Sequence, residues 1–320
     1  MVLSEVHRYW IGFCVAILAN IVIAVSDTIR KKAIIRRGYV PPENEDKYVH
    51  VKDSVLWISI ILLIIGEIIN FIAFTFGPTF LVASVGVIAI FITAILWKLY
   101  YGENFNCLGW LGLVFSILGL AIMAVNFPRR EISMDILELA SKLDSSGFIY
   151  YVIAVVIVLL VVACYIVPFF GSKCGPVYVI FSLVAYSLVG SIAVVMCKCS
   201  GYSAKYLITA DDWADNNVLY TALFIVVTLV SICIQEFYMA KFTNSFTSPG
   251  LVKAIFFILR TALVGAISNM IFEEWSHVRY LNIVGTALGF VLICIGVLLH
   301  PLFSDYNFDQ ALINEKFQAK

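Results

Sequence analysis

Nine long apolar runs constrain this chain more than any other feature of its sequence. Each run is close to the roughly 20 residues that an α-helix needs to cross a bilayer. The chain of 320 residues is 62% hydrophobic and only 13% charged, whereas a soluble domain is about half apolar and a quarter charged. The runs lie at residues 10–29, 56–76, 79–98, 108–126, 148–170, 176–196, 218–240, 249–271 and 281–302. This pattern predicts an all-α, polytopic transmembrane bundle of about nine helices.

The runs fall into two halves on either side of a polar linker. We expect a first transmembrane half at 1–126, an amphipathic linker at 127–147, a second transmembrane half at 148–302 and a tail at 303–320. Apolar residues recur at helical spacing in the linker, which predicts a short amphipathic helix at the outer membrane interface. These residues are Ile132, Ile136, Leu139 and Leu143.

The charges of the loops predict the orientation of the chain in the membrane. More Lys and Arg residues lie on the side of the first loop, 30–55, than on the opposite side. Because basic residues are retained in cytoplasmic loops, we expect an outside or lumenal N-terminus and a cytoplasmic C-terminus. The plasma membrane and an endosomal or other internal membrane both fit this orientation.

Several classes of function find no support in the sequence. The 21 basic and 21 acidic residues cancel, so no global field favours nucleic acid as a partner. The eight cysteines lack metal-ligand spacing, and no catalytic Ser/His/Asp set or phosphate-binding loop is recognisable. We therefore expect neither an enzyme nor a bound cofactor. The expected partners are the lipid bilayer and a transported small ion or solute, and a homodimer is compatible with the sequence.

A weak internal repeat relates the two halves. A shift of 170 residues aligns 81–125 with 251–295 without a gap. Because this offset spans five crossings, an odd number, the two halves would have inverted topology, as in many transporters with a site near the membrane midplane. The aligned identities include Leu81 with Leu251, Val82 with Val252, Leu118 with Leu288 and Gly119 with Gly289.

Glu67 and Asn70 lie inside the second apolar run and predict part of that site. Residues three apart share a helix face, so the carboxylate and the amide lie side by side. Oxygen ligands of this kind suit Mg²⁺, which keeps several waters and needs only one or two carboxylates. A buried structural hydrogen bond between helices is the alternative. Ionisable residues inside a membrane usually face a cavity or pathway, which favours the functional interpretation.

The eighth run contains two basic residues on one face, Lys253 and Arg260. Arg260 is predicted at the depth of Glu67, which gives the hypothesis that the two pair across a cavity. Lys253 is predicted near the inner surface and near the level of Glu236, with which a salt bridge is the structural alternative. On the first run, Asn20 and Asp27 share a face, and we expect Asp27 to pair with a base of the adjoining loop, either Arg30 or Lys31.

Residues 66–86, GEIINFIAFTFGPTFLVASVG, carry a more specific signal. They resemble the Gly-Glu-x-x-Asn-Phe-x-Ala-Tyr-x-Phe-x-Pro-x-x-Leu-Val stretch of the NIPA-type magnesium transporters, a branch of the drug/metabolite transporter (EamA-like) superfamily. Further matches to that family lie at Phe127-Pro128-Arg129-Arg130-Glu131, at 187–198, and at Gln235, Tyr238 and Lys241. The resemblance covers roughly 10–300 and implies the superfamily's inverted-repeat fold, with Gln235 among the pathway residues.

The departures from the family pattern indicate a divergent member. Ala83-Ser84 and Lys253-Ala254 stand where both repeats of the family have Thr-Pro, and the family's eighth segment lacks the charges of Lys253 and Arg260. The function that the resemblance implies is transport of divalent cations, Mg²⁺ first, by alternating access. Lys253 and Arg260 leave open a carrier of organic anions, nucleotide sugars or phosphates. A membrane protein that binds partners without transporting them is the third alternative.

Overall fold

The structure is a computed structural model that describes residues 2–37, 54–102, 105–128, 136–162, 164, 176–210, 215–245, 249–276 and 278–302. The predicted tail 303–320 lies outside the described residues, as do the side chains of some helix-end residues, Glu236 among them. The described residues form α-helices, and no β-strand is found among them. In chain order the helices are α1 (Val2–Arg37), α2 (Ser54–Phe76), α3 (Thr79–Val85), α4 (Val87–Tyr101), α5 (Cys107–Asn126), α6 (Ile136–Leu143), α7 (Ser146–Val161), α8 (Pro176–Ala210), α9 (Asp215–Ser245), α10 (Pro249–Phe272) and α11 (Tyr280–Leu302).

The number of potential membrane crossings agrees with the sequence. Within the described ranges, eight spans are long and apolar enough to cross a membrane, and α6 with α7, bent by 56°, would make a ninth. Helices α3 and α4 together form one of these spans, broken at Gly86. The prediction of an all-α, polytopic bundle of about nine helices is therefore confirmed.

Helix α8 corrects the predicted end of the sixth segment. The apolar run stops at residue 196, and a loop was expected from there, but the helix continues to Ala210. Lys198, which ends the apolar run, is only 2% exposed and makes a buried ion pair with Glu274. Since a neutralised charge can be buried, the helix continues inside the protein instead of ending at the first lysine.

The predicted linker helix is present as α6, but its apolar stripe contacts the protein. Ile136 and Leu139 are 2% and 1% exposed, and Leu139 packs in one cluster with Phe148 and Phe272. The stripe expected to lie in the membrane interface therefore covers the bundle.

Helices α5 and α11 pack antiparallel at very short range through glycines. A Cβ atom on Gly119 would lie 2.5 Å from the carbonyl oxygen of Gly289, and one on Gly112 would lie 2.4 Å from that of Gly296. Gly119 and Gly289 are equivalent positions of the 170-residue repeat, and they contact each other. Equivalent residues meet in this way only where a two-fold axis relating the two halves passes between them.

Candidate functional site

A cavity of about 410 Å³ lies between helices of the two halves, namely α1, α2, α3, α4, α9 and α10. Its walls mix apolar side chains with the charged and amide side chains on which the sequence analysis centred. Seven of the eight predicted pathway residues line it, and Glu236 is the one whose side chain lies outside the described part of the chain. The seven are Asn20, Asp27, Glu67, Asn70, Gln235, Lys253 and Arg260.

These residues form two layers, which we call the mouth and the deep layer. Asn20 and Asp27 on α1 are seven residues apart, as are Arg260 and Lys253 on α10, so the layers are separated by about 10 Å along the helices. The mouth consists of Asp27, Arg30, Lys31, Trp97 and Lys253, and the deep layer consists of Asn20, Glu67, Asn70, Gln235 and Arg260.

The amide of Asn70 is the most informative group of the deep layer. Asn70 is 8% exposed, and its buried Oδ1 has no hydrogen-bond partner among the described residues. An unsatisfied buried acceptor costs about 1–3 kcal/mol, so its retention calls for a ligand that supplies the missing contact. Glu67, one turn earlier on α2, lines the same cavity. The Asn20 amide nitrogen donates to the Ala16 carbonyl at 2.8 Å, which uses one of its two donors on the helix itself.

Gly190 on α8 allows two polar side chains to approach the deep layer. A Cβ atom at this position would lie 2.6 Å from Oε1 of Gln235 and 3.2 Å from Cδ of Arg260. Glu67 and Arg260 both interact electrostatically with the Cys197 thiol, so the carboxylate and the guanidinium lie in one region. The hypothesis that Glu67 and Arg260 pair directly stays a prediction.

Asp27 at the mouth has a cationic partner on each carboxylate oxygen. Nη2 of Arg30 lies 3.1 Å from Oδ1, as the sequence predicted, and Nζ of Lys253 lies 2.9 Å from Oδ2. The sequence analysis had considered Glu236 as the partner of Lys253. The contact with Asp27 joins residues 226 positions apart, for which the sequence gives no local signal.

The indole ring of Trp97 lies beside these cations. Nζ of Lys31 is 3.6 Å from the ring centroid, and Nζ of Lys253 is 5.3 Å from it. Both distances are within cation–π range. The mouth therefore offers Lys253 two neighbours, the Asp27 carboxylate and the Trp97 ring.

Beyond the deep layer, a buried polar cluster of Thr79, Lys198 and Glu274 closes the bundle, and we call it the sealed cluster. Oε1 of Glu274 accepts hydrogen bonds from the Thr79 backbone N–H at 2.8 Å and from its hydroxyl at 2.7 Å, and it also contacts Nζ of Lys198. The ion-paired side chains are only 3% and 4% exposed, against 26% and 19% for Lys253 and Asp27. Water thus reaches the mouth far more readily than the sealed cluster.

The environment of Glu274 keeps it charged. Burial by itself would raise the pKa of this carboxyl, but the Lys198 charge and the hydrogen bonds from Lys198 and Thr79 hold the pKa below its ordinary value. The carboxylate also lies at the start of α3, where the helix dipole favours negative charge. Sequence analysis missed the whole cluster because Lys198 and Glu274 lie at the ends of apolar runs, where charged residues are normally solvated.

Aromatic side chains pack next to the sealed cluster. The Phe80 ring, one residue after Thr79, has its centroid 5.3 Å from Phe290, 5.8 Å from Trp275 and 6.3 Å from Phe127. This packing fills the space between α3, α5 and α11 on the side away from the mouth.

The described residues contain no group of three or more His, Cys, Asp or Glu side chains placed to hold a metal ion. A transported ion needs no such cage, because weak binding allows release. The cavity instead offers carboxylate and amide oxygens singly, with room for water, which matches the way Mg²⁺ is usually bound.

An all-helical, multi-pass bundle with a charged cavity between two halves has the architecture of a membrane transporter. Comparison with known proteins specifies the class: residues 7–306 match the family "Magnesium transporter NIPA", and the chain belongs to this family. The resemblance in residues 66–86 is thereby confirmed.

Several curated relatives support the same assignment at low identity. Mouse magnesium transporter NIPA4 is 29% identical over 307 residues, covering 95% of this chain and 74% of the relative. Mouse magnesium transporter NIPA1 is 28% identical over 303 residues, covering 94% and 90%. The probable magnesium transporter NIPA5 of Arabidopsis thaliana is 27% identical over 291 residues, covering 90% and 73%. No solved structure matches the chain. These identities are those of a divergent family member.

Proposed function

We propose that this protein transports divalent cations, with Mg²⁺ as its substrate, through the cavity between its two halves. The observation that carries the proposal is the side-by-side placement of Glu67 and the unpartnered Asn70 Oδ1 in that cavity. A carboxylate and an amide oxygen are hard ligands, and a partly hydrated Mg²⁺ requires few of them. The relatives named magnesium transporters support the choice of ion.

The proposed orientation places the N-terminus outside or in the lumen and the C-terminus in the cytoplasm. The membrane is then the plasma membrane or an endosomal or other internal membrane. An inside-negative potential of about 100 mV favours influx of a doubly charged ion by about 4.6 kcal/mol. Uptake therefore needs no coupling ion.

The proposed mechanism is alternating access by two halves of inverted topology, 1–126 and 148–302, joined by the linker 127–147. Three observations support it. Helix α10 begins at Pro249, 170 residues after the start of α3 at Thr79. The repeat-equivalent Gly119 and Gly289 contact each other. The mouth is partly exposed while the sealed cluster is buried, as expected when access is open on one side only.

Ion flux into liposomes tests the proposal. Purified protein is reconstituted into vesicles that contain a Mg²⁺-sensitive dye, and an inside-negative potential is imposed. We expect saturable Mg²⁺ uptake that increases with the potential and is absent from protein-free vesicles. Uptake of phosphate or sugar phosphates without Mg²⁺ uptake would contradict the proposal in favour of an anion carrier. Uptake of neither would contradict transport as such.

A further inference from the structure

Lys253 occupies the position at the mouth that a substrate cation would need. Its ammonium lies 2.9 Å from Oδ2 of Asp27, in the cavity through which the proposed function routes Mg²⁺. We propose that Lys253 is a tethered competitor cation, which holds Asp27 when Mg²⁺ is absent and thereby excludes monovalent cations. This inference rests on the proposed function and adds the residue that determines its specificity for divalent ions.

The two cations on Asp27 differ in how they are attached. Arg30 is three residues from Asp27 on α1, so it moves with the carboxylate whatever the rest of the bundle does. Lys253 comes from α10 in the other half of the chain, so its contact depends on how the two halves are placed. Only the Lys253 contact can therefore be broken by an arriving ion without unfolding part of α1.

The surroundings of Lys253 allow it to leave Asp27. Its side chain is 26% exposed, and that of Asp27 is 19% exposed, so water and ions reach the pair. The Trp97 ring centroid lies 5.3 Å from its ammonium and offers a second place for the charge. A flexible four-carbon stem connects the ammonium to α10. The displaced ammonium thus keeps a favourable contact without leaving the mouth.

Charge decides which ions can displace it. A monovalent cation that replaces the ammonium at Asp27 exchanges one unit charge for another and gains no Coulomb energy. It must also compete with a tethered group whose effective concentration is on the order of millimolar or higher. A divalent cation doubles the attraction to the carboxylate and overcomes this competition. Lys253 therefore penalises K⁺ and Na⁺ selectively.

Three variants test this role in the purified full-length protein. Lys253→Met removes the charge and keeps the length of the side chain, Lys253→Arg keeps the charge, and Lys98→Met is the matched control. Lys98 is exposed on α4 next to Trp97 and contacts the Phe105 carbonyl instead of Asp27. The half-saturating Mg²⁺ concentration is measured by thermal stabilisation and by vesicle uptake, in choline chloride and in potassium chloride at equal ionic strength.

We expect the wild-type protein to give one half-saturating Mg²⁺ concentration in both salts. In Lys253→Met we expect this concentration to fall in choline by about tenfold, equivalent to about 1.4 kcal/mol, and to rise again in potassium. Lys253→Arg and Lys98→Met are expected to behave as the wild type does.

Two results would overturn the proposal. If the wild-type protein takes up Mg²⁺ but Lys253→Met shows neither the fall in choline nor sensitivity to potassium, Lys253 has no competing role, and the proposed function stands. A lower melting temperature without Mg²⁺ and an unchanged half-saturating concentration would be that same result, with Lys253 serving only to hold α1 against α10. If the wild-type protein neither binds nor transports Mg²⁺, the proposed function and this inference fail together.

Discussion

Asn70 is the residue at which stability and function are most clearly opposed. Its buried Oδ1 lacks a partner among the described residues, which weakens the fold, yet it lies beside Glu67 in the cavity. A buried acceptor left open is a cost that a bound cation or its water would remove. The same oxygen therefore makes Asn70 a candidate ligand for the transported ion.

Replacing Asn70 by leucine separates the two effects. Because leucine has a similar size and no polar atom, we expect Asn70→Leu to raise the free energy of unfolding by about 1–3 kcal/mol while reducing Mg²⁺ uptake. Thermal unfolding and vesicle uptake measure the two quantities. The matched control is Asn20→Leu in the same cavity, which loses the hydrogen bond to Ala16 and should not stabilise the protein. Destabilisation by Asn70→Leu would show that its oxygen is satisfied.

Among the elements, α5 and α11 form the closest helix contact of the described bundle for which an atomic reason is evident. Their glycines face each other backbone to backbone, so no side chain can be accommodated between them. Small residues at membrane helix crossings allow this close approach and the dispersion contacts that come with it. The pair is a fixed point around which the two halves can be arranged.

A single methyl group at this crossing should therefore be costly. In Gly119→Ala the new Cβ would lie 2.5 Å from the Gly289 carbonyl oxygen, and the helices must separate to admit it. We expect a loss of about 1–3 kcal/mol in thermal unfolding. Gly250→Ala serves as the control, since its Cβ would meet Pro301 at an ordinary 3.4 Å. Equal stability of the two variants would contradict the packing described for α5 and α11.

The sealed cluster connects α8, the start of α3 and the end of α10, and its energetics follow from burial. In Lys198→Met the Glu274 carboxylate stays buried without its counter-charge, which costs about 3–5 kcal/mol. We expect the double variant Lys198→Met with Glu274→Leu to recover part of this loss in thermal unfolding. An equal loss in both variants would mean that the two charges are not coupled.

An exposed ion pair nearby gives the matched comparison. Lys142 pairs with Glu273, whose side chains are 31% and 54% exposed, and Lys142→Met should cost less than about 1 kcal/mol. The contribution of Glu274 also has a defined pH dependence. Because its pKa is lowered in the folded protein, this contribution is complete above the ordinary carboxyl pKa and is lost as the pH falls through the lowered pKa.

At the scale of the whole molecule, the sequence predicted the cavity well and its closed end poorly. Glu67, Asn70 and Arg260 were recognisable because a polar side chain inside an apolar run is costly unless it faces a cavity or a partner. Lys198 and Glu274 were not, because charges at the ends of apolar runs are usually solvated. Their pairing joins residues 76 positions apart and depends on tertiary packing, which also extends α8 beyond its apolar run.

The direction of access is a property of the whole bundle. The mouth contains an ion pair that water reaches, and the opposite end contains one that water does not reach. A carrier that alternates must exchange these conditions, so the sealed cluster has to open when the mouth closes. Breaking a buried ion pair is costly, and substrate binding in the deep layer is the proposed source of the compensating free energy.

The most direct test of Mg²⁺ transport through this cavity is uptake by vesicles that contain the Glu67→Gln variant. Glutamine keeps the size of the side chain and removes only its charge. We expect Mg²⁺ uptake to fall about tenfold or more with the melting temperature retained, since losing this ligand costs at least about 1.4 kcal/mol. Glu138→Gln, which changes an exposed carboxylate on α6, should transport as the wild type does. Wild-type uptake by a folded Glu67→Gln protein would contradict the proposal that Mg²⁺ passes through this cavity.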